Sequence, residues 1–373
     1  MSVVSKGLEG IVAAETRLGE VKGAEGVLFY CGYDINELVK LTYEEVVYLL
    51  YYNKLPNKGE LDKLTTALRA ERELPQGVID YLKAAPKDAK PIDVMRTAVS
   101  MLGSYDLKRH DIDVSENLAT AIRLTSQIGV IAAYFHRCRQ GLELLPVRKD
   151  LSEAAHFLYL MNGEVPSKEA ERTLDIAYIL HAEHGFNAST FTARVVASTL
   201  SDMYSAISAA IGALKGPLHG GANEGVIHML QEIGSLEAVD AWVADALAQK
   251  KKIMGIGHRV YKVLDPRAPH LREMAIKLTE QLGEAKWIQM SERIAQIMRE
   301  QKGLNANVDF YSATVYYSLD IPTDLFTPIF AIARMSGWTA HVLEQWSENR
   351  LFRPLSEYVG KPYGQKVVPI EQR

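Results

Sequence analysis

The distribution of helix and strand signals along the chain restricts its fold more than any other feature. Residues 11–33 carry β-forming side chains between glycines, as in Gly26-Val-Leu-Phe-Tyr, and predict a small hairpin. Most of the remainder shows the apolar spacing of helices, beginning with a capping box formed by Thr42 and Glu45. Strands and helices do not alternate in a sustained way, which disfavours a parallel α/β sheet. The sequence therefore predicts a mainly α fold.

Local signals place several of the helices. Ser152 and Ser167 are predicted N-caps, and amphipathic helices are predicted over 236–250 and over 270–300, the latter broken near Gly283. Pro328 fits the first turn of a helix that runs to about Trp346. Residues 188–214 are rich in Ala and Ser, and small side chains let helices approach closely. We therefore expect that segment at a tight internal or subunit contact.

Length and charge narrow the class of protein. A chain of 373 residues suggests two domains, and the absence of a Pro-, Gly- and Ser-rich linker favours an insertion within one body. The net charge of −4 gives no indication of a nucleic-acid partner. Two cysteines without a CxxC motif, and an N-terminus without the apolar core of a signal peptide, predict a reduced, cytoplasmic location. The longest uncharged stretch, 203–214, is too short to span a membrane and predicts a buried helix.

A glycine-rich segment around His219 is the first candidate for chemistry. In Lys215-Gly-Pro-Leu-His-Gly-Gly-Ala-Asn, glycines flank the histidine and allow close approach of a ligand. A helix is predicted to begin near Ala222, and its positive end would keep the imidazole neutral and able to donate a hydrogen bond to an oxyanion. The alternative is a histidine that bonds to backbone in a tight turn.

A second segment combines glycines with positive charge. Gly255-Ile-Gly precedes His258, and Arg259, Lys262 and Arg267 follow. This composition is typical of a site for a carboxylate or phosphate, although a solvated basic turn fits it too. The segment lacks the GxGxxG spacing of a dinucleotide fingerprint.

Three further positions have both a functional and a structural interpretation. His181 and His184 are predicted to share a helix face, where a packed pair is favoured over a metal site. Asp309 precedes an apolar run and fits either a base of raised pKa or an N-cap. Arg334 lies among apolar residues and needs an anion, supplied either by substrate or by an internal ion pair. Taken together, the candidates suit an anionic carbonyl substrate and proton transfer without a metal or a redox cofactor.

Five segments in this order resemble the signature segments of the citrate synthase family. Besides the two glycine-rich segments they are His181-Ala-Glu-His-Gly-Phe-Asn-Ala-Ser-Thr, Asn307-Val-Asp-Phe-Tyr-Ser and Leu351-Phe-Arg-Pro. The resemblance covers nearly the whole chain and its length matches the shorter bacterial and archaeal form. It implies an almost all-helical homodimer without a cofactor, with a large domain (1–217 and 317–373) and a small, mobile inserted domain (218–316). The helices near 188–214 would then contribute to the dimer interface.

The resemblance also implies a reaction, in which acetyl-CoA condenses with oxaloacetate and water to give citrate and CoA. Asp309 would remove the α-proton of the acetyl group, His219 would bond the thioester oxygen, and His258 would polarise the oxaloacetate ketone. The implied ligands of the oxaloacetate carboxylates are His184, Arg267, Arg334 and, across the dimer, Arg353. Those of the CoA phosphates are Lys262, Lys215 and Arg259.

Three alternatives remain open at this point. A 2-methylcitrate synthase would use propionyl-CoA by the same chemistry, and one extra methylene is worth only about 1–3 kcal/mol in a pocket. A non-catalytic helical scaffold or CoA-binding protein would be expected to have lost at least one of His219, His258 and Asp309. A metallohydrolase would use His181 and His184.

Overall fold

A computed structural model describes residues 4–108 and 114–373 of the chain. The predicted mainly α fold is confirmed. The helices of the N-terminal half are α1 Ile35–Leu38, α2 Tyr43–Tyr52, α3 Lys58–Ala70, α4 Gln76–Ala84, α5 Pro91–Tyr105, α6 Val114–Gln140, α7 Glu153–Asn162 and α8 Lys168–His181. Those that follow are α9 Ala188–Ser198, α10 Met203–Leu214, α11 Ala222–Ile233, α12 Val239–Ala248, α13 Ala268–Leu282, α14 Lys286–Lys302, α15 Val308–Ser318 and α16 Phe326–Ser347.

The predicted hairpin is present and gains a third short strand. Strands β1 (Gly19–Lys22), β2 (Val27–Tyr30) and β3 (Tyr33–Asp34) form an antiparallel sheet in that order. The side chains of Leu28 and Tyr30 are fully buried, and the Tyr30 hydroxyl donates to the carbonyl of Ile179 at 3.0 Å. The hairpin is therefore fixed to the end of α8, and its two long strands are joined by a turn at residues 23–26.

The predicted helix boundaries follow from capping chemistry. Thr42 and Glu45 form the reciprocal capping box of α2, and Ser152 and Ser167 cap α7 and α8. The predicted break at Gly283 is confirmed, since this residue ends α13 in the left-handed conformation (φ 68°). The segment predicted over 236–250 begins with a single 3-10 turn, and its α-helix starts only at Val239.

Helix α16 forms the centre of the largest group of helices. It packs against α2, α6, α8, α9 and α10, and almost every side chain from Phe326 to Val342 is buried. Helices α9 and α10 pack closely on each other through small buried residues, among them Ala193, Ala197, Ala206 and Ala210. The prediction that residues 188–214 form a tight contact is thus confirmed for a contact inside the chain.

Helices α11 to α15 form a second group. Helix α15 packs against α11, α13 and α14, and α12 packs against α14. Helices α11 to α14 and most of α15 lie within residues 218–316, the segment predicted as an inserted domain. The two groups meet where α11 contacts α16 and α15 contacts α8. The candidate site residues lie near this junction.

One helix in the described ranges is long and apolar enough to cross a membrane. It is the stretch Ser115–Gln140 of α6, and 78% of its most apolar window is buried inside the fold. Met203–Leu214, predicted as a buried helix, forms α10 and lies in the core. Both stretches therefore serve as packing elements here.

Candidate active site

A short antiparallel contact brings two of the candidate segments together. Ile256 and Ala306 form an isolated β-bridge, with Gly257 N–H donating to the Asn305 carbonyl at 2.8 Å and Asn307 N–H donating to the Gly255 carbonyl at 2.9 Å. Gly255 has a φ of +73°, and a Cβ there would lie 3.0 Å from the Cα of Phe310. Only glycine fits this close approach. The bridge places His258 beside the first turn of α15, which carries Asp309.

The protonation of His258 is set by its own loop. Its Nδ1 accepts hydrogen bonds from the backbone N–H groups of Val260 (3.0 Å) and Tyr261 (3.1 Å). A nitrogen that accepts two N–H bonds carries no proton, so the proton of the neutral ring lies on Nε2. Burial, assisted by Arg267, lowers the pKa of His258 to about 4. His258 is therefore a neutral donor through Nε2.

His219 is held by groups at the start of α9. Its Nε2 accepts the backbone N–H of Ser189 at 3.3 Å and lies 2.8 Å from the Ser189 hydroxyl, which accepts the indole N–H of Trp338 at 3.1 Å. Because Nε2 accepts, the ring proton lies on Nδ1. Burial and the charge of Arg334 lower the pKa of His219 to about 4. The prediction of a neutral, donating His219 is consistent with this geometry, with Ser189 rather than the helix end fixing the ring.

Asp309 carries a carboxylate oxygen without a partner. Asn307, not Asp309, is the N-cap of α15, since its Oδ1 accepts the N–H of Asp309 at 3.0 Å. The N-cap interpretation of Asp309 is therefore wrong. Its Oδ1 is buried and makes no hydrogen bond with any residue that the structure describes, and burial raises its pKa to about 6 despite the nearby charge of Arg267. Such a carboxylate is available to accept a proton.

Arg334 is a buried cation whose charge is not matched by an ion pair. It is 1% exposed, its Nε donates to the carbonyl of His181, and its guanidinium lies over the Phe330 ring at 4.8 Å. Its Nη1 is buried without a partner, and no carboxylate from the described ranges forms an ion pair with it. Burial lowers its pKa to about 10. The internal ion pair is thus not observed, and an anionic ligand would supply the missing charge.

Arg267 is buried in a different way. Asp265 accepts bonds from its Nε at 2.9 Å and from its Nη2 at 2.8 Å, a bidentate pair that fixes the guanidinium plane. The same carboxylate accepts the N–H of Val308, at the start of α15, at 3.3 Å. Asp265 therefore ties Arg267 to the helix that carries Asp309, a link that the sequence did not reveal.

His184 lies outside helix α8, so the prediction that it shares a helix face with His181 is wrong. The helix ends at His181, and Gly185 (φ 59°) turns the chain. The Nδ1 of His181 lies 2.8 Å from the Ala177 carbonyl, whereas the Nε2 of His184 lies 3.2 Å from the Tyr261 hydroxyl. Among the residues that the structure describes, no group of three or more His, Cys, Asp or Glu side chains is placed to hold a metal ion.

Electrostatic effects connect these side chains into one site. The charge of Arg334 lowers the pKa of His219, His184 and Asp309, and Arg267 lowers that of His184, His258 and Asp309. The His184 and His258 rings lie 5.7 Å apart, and Phe330 contacts both His219 and Arg334. Two histidines that donate, a carboxylate that accepts and two buried arginines therefore lie within one charge network.

The remaining predicted ligands lie on the surface of this single chain. Lys215 forms an ion pair with Asp93 at 2.7 Å, and Arg259 and Lys262 are exposed on the His258 loop. Arg353 is exposed and lines a different groove of about 990 Å³, together with Arg17 and Arg194. The structure does not bring Arg353 to the other site residues of the same chain.

Comparison with known proteins agrees with this geometry. The family model described as citrate synthase, C-terminal domain, matches residues 7–355. The chain belongs to the citrate synthase family. The "Citrate synthase 2" of Bacillus subtilis is 50% identical over 99% of each chain, and the "2-methylcitrate synthase" of Shewanella oneidensis is 43% identical over 98% of this chain and 97% of its own.

A solved structure extends the match to three dimensions. The citrate synthase of the archaeon Thermoplasma acidophilum, described as a ternary complex with carboxymethyl coenzyme A and oxaloacetate, superposes with a TM-score of 0.94 at 33% identity and complete coverage of both chains. The family assignment and the mainly α fold predicted from the sequence are thereby confirmed.

Proposed function

We propose that this protein condenses acetyl-CoA with oxaloacetate and water to give citrate and CoA. One observation carries the proposal: two neutral histidines with opposite ring tautomers lie in one charge network with a carboxylate oxygen that has no partner. The α-proton of a thioester is only weakly acidic. Its removal needs a positioned base on one side and a hydrogen-bond donor at the carbonyl oxygen on the other.

The first step is enolisation of acetyl-CoA. Asp309 takes a proton from the methyl group, while the Nδ1–H of His219 bonds the thioester oxygen as negative charge develops there. The neutral state of His219 is suited to this task, because its pKa of about 4 leaves it a donor that is not already charged. The raised pKa of Asp309 brings the base closer to the carbon acid in proton affinity.

The second step forms the carbon–carbon bond. The enol carbon attacks the ketone of oxaloacetate, and the developing alkoxide takes its proton from the Nε2–H of His258 to become the hydroxyl of citryl-CoA. Asp309 releases the methyl proton to solvent, and His258 regains a proton from solvent, before the next turnover. Water then attacks the thioester carbonyl, the C–S bond breaks, and citrate and CoA leave. Acid–base chemistry of the protein suffices for every step, and we propose that no cofactor takes part.

Buried positive charge would select the dicarboxylate. Arg334 lacks an anionic partner, and the plane of Arg267 is fixed by Asp265, so both suit a carboxylate of oxaloacetate, with His184 as a further donor. Arg259, Lys262 and Lys215 would face the CoA phosphates. Lys215 would first have to leave Asp93 or share it, which makes it the weakest of the three as a ligand.

We also propose that the protein acts as a homodimer whose inserted domain, residues 218–316, closes over the substrates. The C-terminal segment after α16 is extended and largely exposed, and it carries apolar side chains such as Leu355, Tyr358 and Val359 into solvent. Burial of this segment against a second copy would remove that apolar surface from water. Arg353, at its start, would then reach the partner's site.

The test is release of free thiol from CoA esters in the presence and absence of oxaloacetate, with acetyl-CoA and propionyl-CoA in parallel. We expect faster release from acetyl-CoA, dependent on oxaloacetate. Preference for propionyl-CoA would reassign the substrate to that of a 2-methylcitrate synthase. Absence of release from both esters would refute the proposed function.

A further inference from the structure

The turn of the N-terminal hairpin lies directly against the loop that holds His258. Lys262 N–H donates to the carbonyl of Gly23 at 3.0 Å. A Cβ placed on Gly23 would lie 2.3 Å from the carbonyl oxygen of Val260 and 2.8 Å from its carbonyl carbon. The two backbones are therefore in contact, with no room for a side chain between them.

The loop residues that meet the turn are those that fix the His258 ring. The N–H groups of Val260 and Tyr261 donate to His258 Nδ1, and the Tyr261 hydroxyl lies 3.2 Å from His184. Displacement of Val260 would therefore disturb the donors that hold the ring. On the other side, the hairpin is anchored to the large group of helices through buried Leu28 and Tyr30.

A second contact extends the first along the same loop. A Cβ on Gly26, at the other end of the turn, would lie 2.7 Å from the Cγ2 of Val263. The side chain of Val263 thus rests on Gly26. The turn meets the loop at both of its glycines, while Ala24 and Glu25 between them are exposed.

We propose that Gly23 is a positioning residue for the condensation, because the hairpin turn fixes the position of the His258 ring and its tautomer through the backbone of Val260 and Lys262. Gly23 touches no substrate in this scheme and acts only through the loop. The inference rests on the proposed function, since it concerns the group that would polarise the oxaloacetate ketone.

Gly23→Ala is the direct test. The φ of Gly23 lies outside the left-handed region, so alanine fits its backbone, and the three atoms nearest the new methyl group all belong to Val260. A contact of 2.3 Å must open by about 1 Å, and a displacement of that size in a catalytic group can reduce turnover by about 100-fold. We expect kcat to fall by about 10- to 100-fold at temperatures where the variant is fully folded, while the tighter packing lowers the thermal midpoint by a few degrees. The carbonyl ¹³C signal of bound [2-¹³C]oxaloacetate should move toward its position in water.

Two further variants complete the experiment. Val263→Ala removes the second contact without touching the hairpin and should act in the same direction with a smaller effect, which keeps the inference testable if Gly23→Ala folds poorly. Ala24→Ser alters an exposed residue of the same turn and should match the wild type in every measurement.

The outcomes separate the inference from the proposed function. A wild-type protein without oxaloacetate-dependent thiol release overturns the proposed function itself. An active wild type with an unchanged carbonyl signal and kcat in Gly23→Ala overturns the inference alone. Equal losses in Gly23→Ala and Ala24→Ser, or losses that follow only a lowered thermal midpoint, overturn it as well.

Discussion

Replacement of Arg334 by methionine should strengthen the fold and weaken substrate binding at the same time. Arg334 is buried, its Nη1 has no partner among the described residues, and burial lowers its pKa from the ordinary value of a guanidinium to about 10. One pKa unit corresponds to about 1.4 kcal/mol, so retention of this charge costs the ligand-free protein on the order of 3 kcal/mol at neutral pH. Because the pKa of this basic group is lower in the folded protein than in the unfolded chain, its charge destabilises the fold at neutral pH. The cost disappears only as the pH rises above 10 and the folded protein loses the proton.

Methionine removes this cost together with one hydrogen bond to the His181 carbonyl, worth about 1 kcal/mol. We therefore expect the free energy of unfolding of Arg334→Met to rise by about 1–2 kcal/mol. Oxaloacetate would lose a buried charge partner, which typically costs about 2–5 kcal/mol, or roughly 30- to 4000-fold in Kd. Urea unfolding of the ligand-free protein and calorimetric titration with oxaloacetate measure the two effects.

Arg194 provides a matched control. It is equally buried, but its Nη1 donates to Glu344 at 2.6 Å and its Nε donates to Gln345 at 3.0 Å. Loss of one partner of a buried ion pair costs about 3–5 kcal/mol, so Arg194→Met should destabilise the fold. Equal destabilisation by both variants, with oxaloacetate affinity unchanged in Arg334→Met, would refute the assignment of Arg334 to the substrate.

Three further predictions concern the base, the support of His219 and the subunit arrangement. Because the pKa of Asp309 is raised to about 6, kcat/KM should be constant above pH 6 and fall tenfold for each pH unit below it. A profile in which kcat/KM begins to fall only near pH 4 would contradict this. Ser189→Ala removes the hydroxyl beside His219 Nε2 and should lower kcat by roughly threefold to tenfold with little change in oxaloacetate affinity. A wild-type kcat in steady-state kinetics would refute the role of Ser189 in holding the His219 ring. If Arg353 completes the partner's site, mixing inactive Asp309→Asn subunits with inactive Arg353→Ala subunits should restore up to about a quarter of wild-type activity. Half of the dimers would be mixed, and one of the two sites in each mixed dimer would be intact. No recovery after verified subunit exchange would place Arg353 in the site of its own chain.

Local signals explain how much of the fold could be predicted. The capping box at Thr42, the caps at Ser152 and Ser167 and the glycine break at Gly283 act within a few residues of sequence, and each appears in the structure. The prediction that His181 and His184 share a helix face was wrong because it, too, rested only on local spacing. Helix α8 ends at His181 and the chain turns at Gly185 in the left-handed conformation, a change of backbone direction that apolar periodicity does not register.

The chemistry of the site depended on contacts between distant segments. Asn307 took the capping role that had been an alternative for Asp309, and this left the Asp309 oxygen free. The tautomer of His219 is set by Ser189, 30 residues away along the chain, and Trp338 supports that serine from α16. The Asn187-Ala-Ser-Thr capping signal marks a helix start at this point, but no sequence pattern relates it to His219.

The central claim is that Asp309 removes the proton that starts the condensation. Its most direct test is formation of citrate from [2-¹³C]acetyl-CoA and oxaloacetate, followed by NMR, in the wild type and in Asp309→Asn. We predict label in a methylene carbon of citrate with the wild type, and a rate lower by about 10²–10⁴-fold in the variant, with oxaloacetate binding largely retained. Turnover of Asp309→Asn close to that of the wild type would contradict the account.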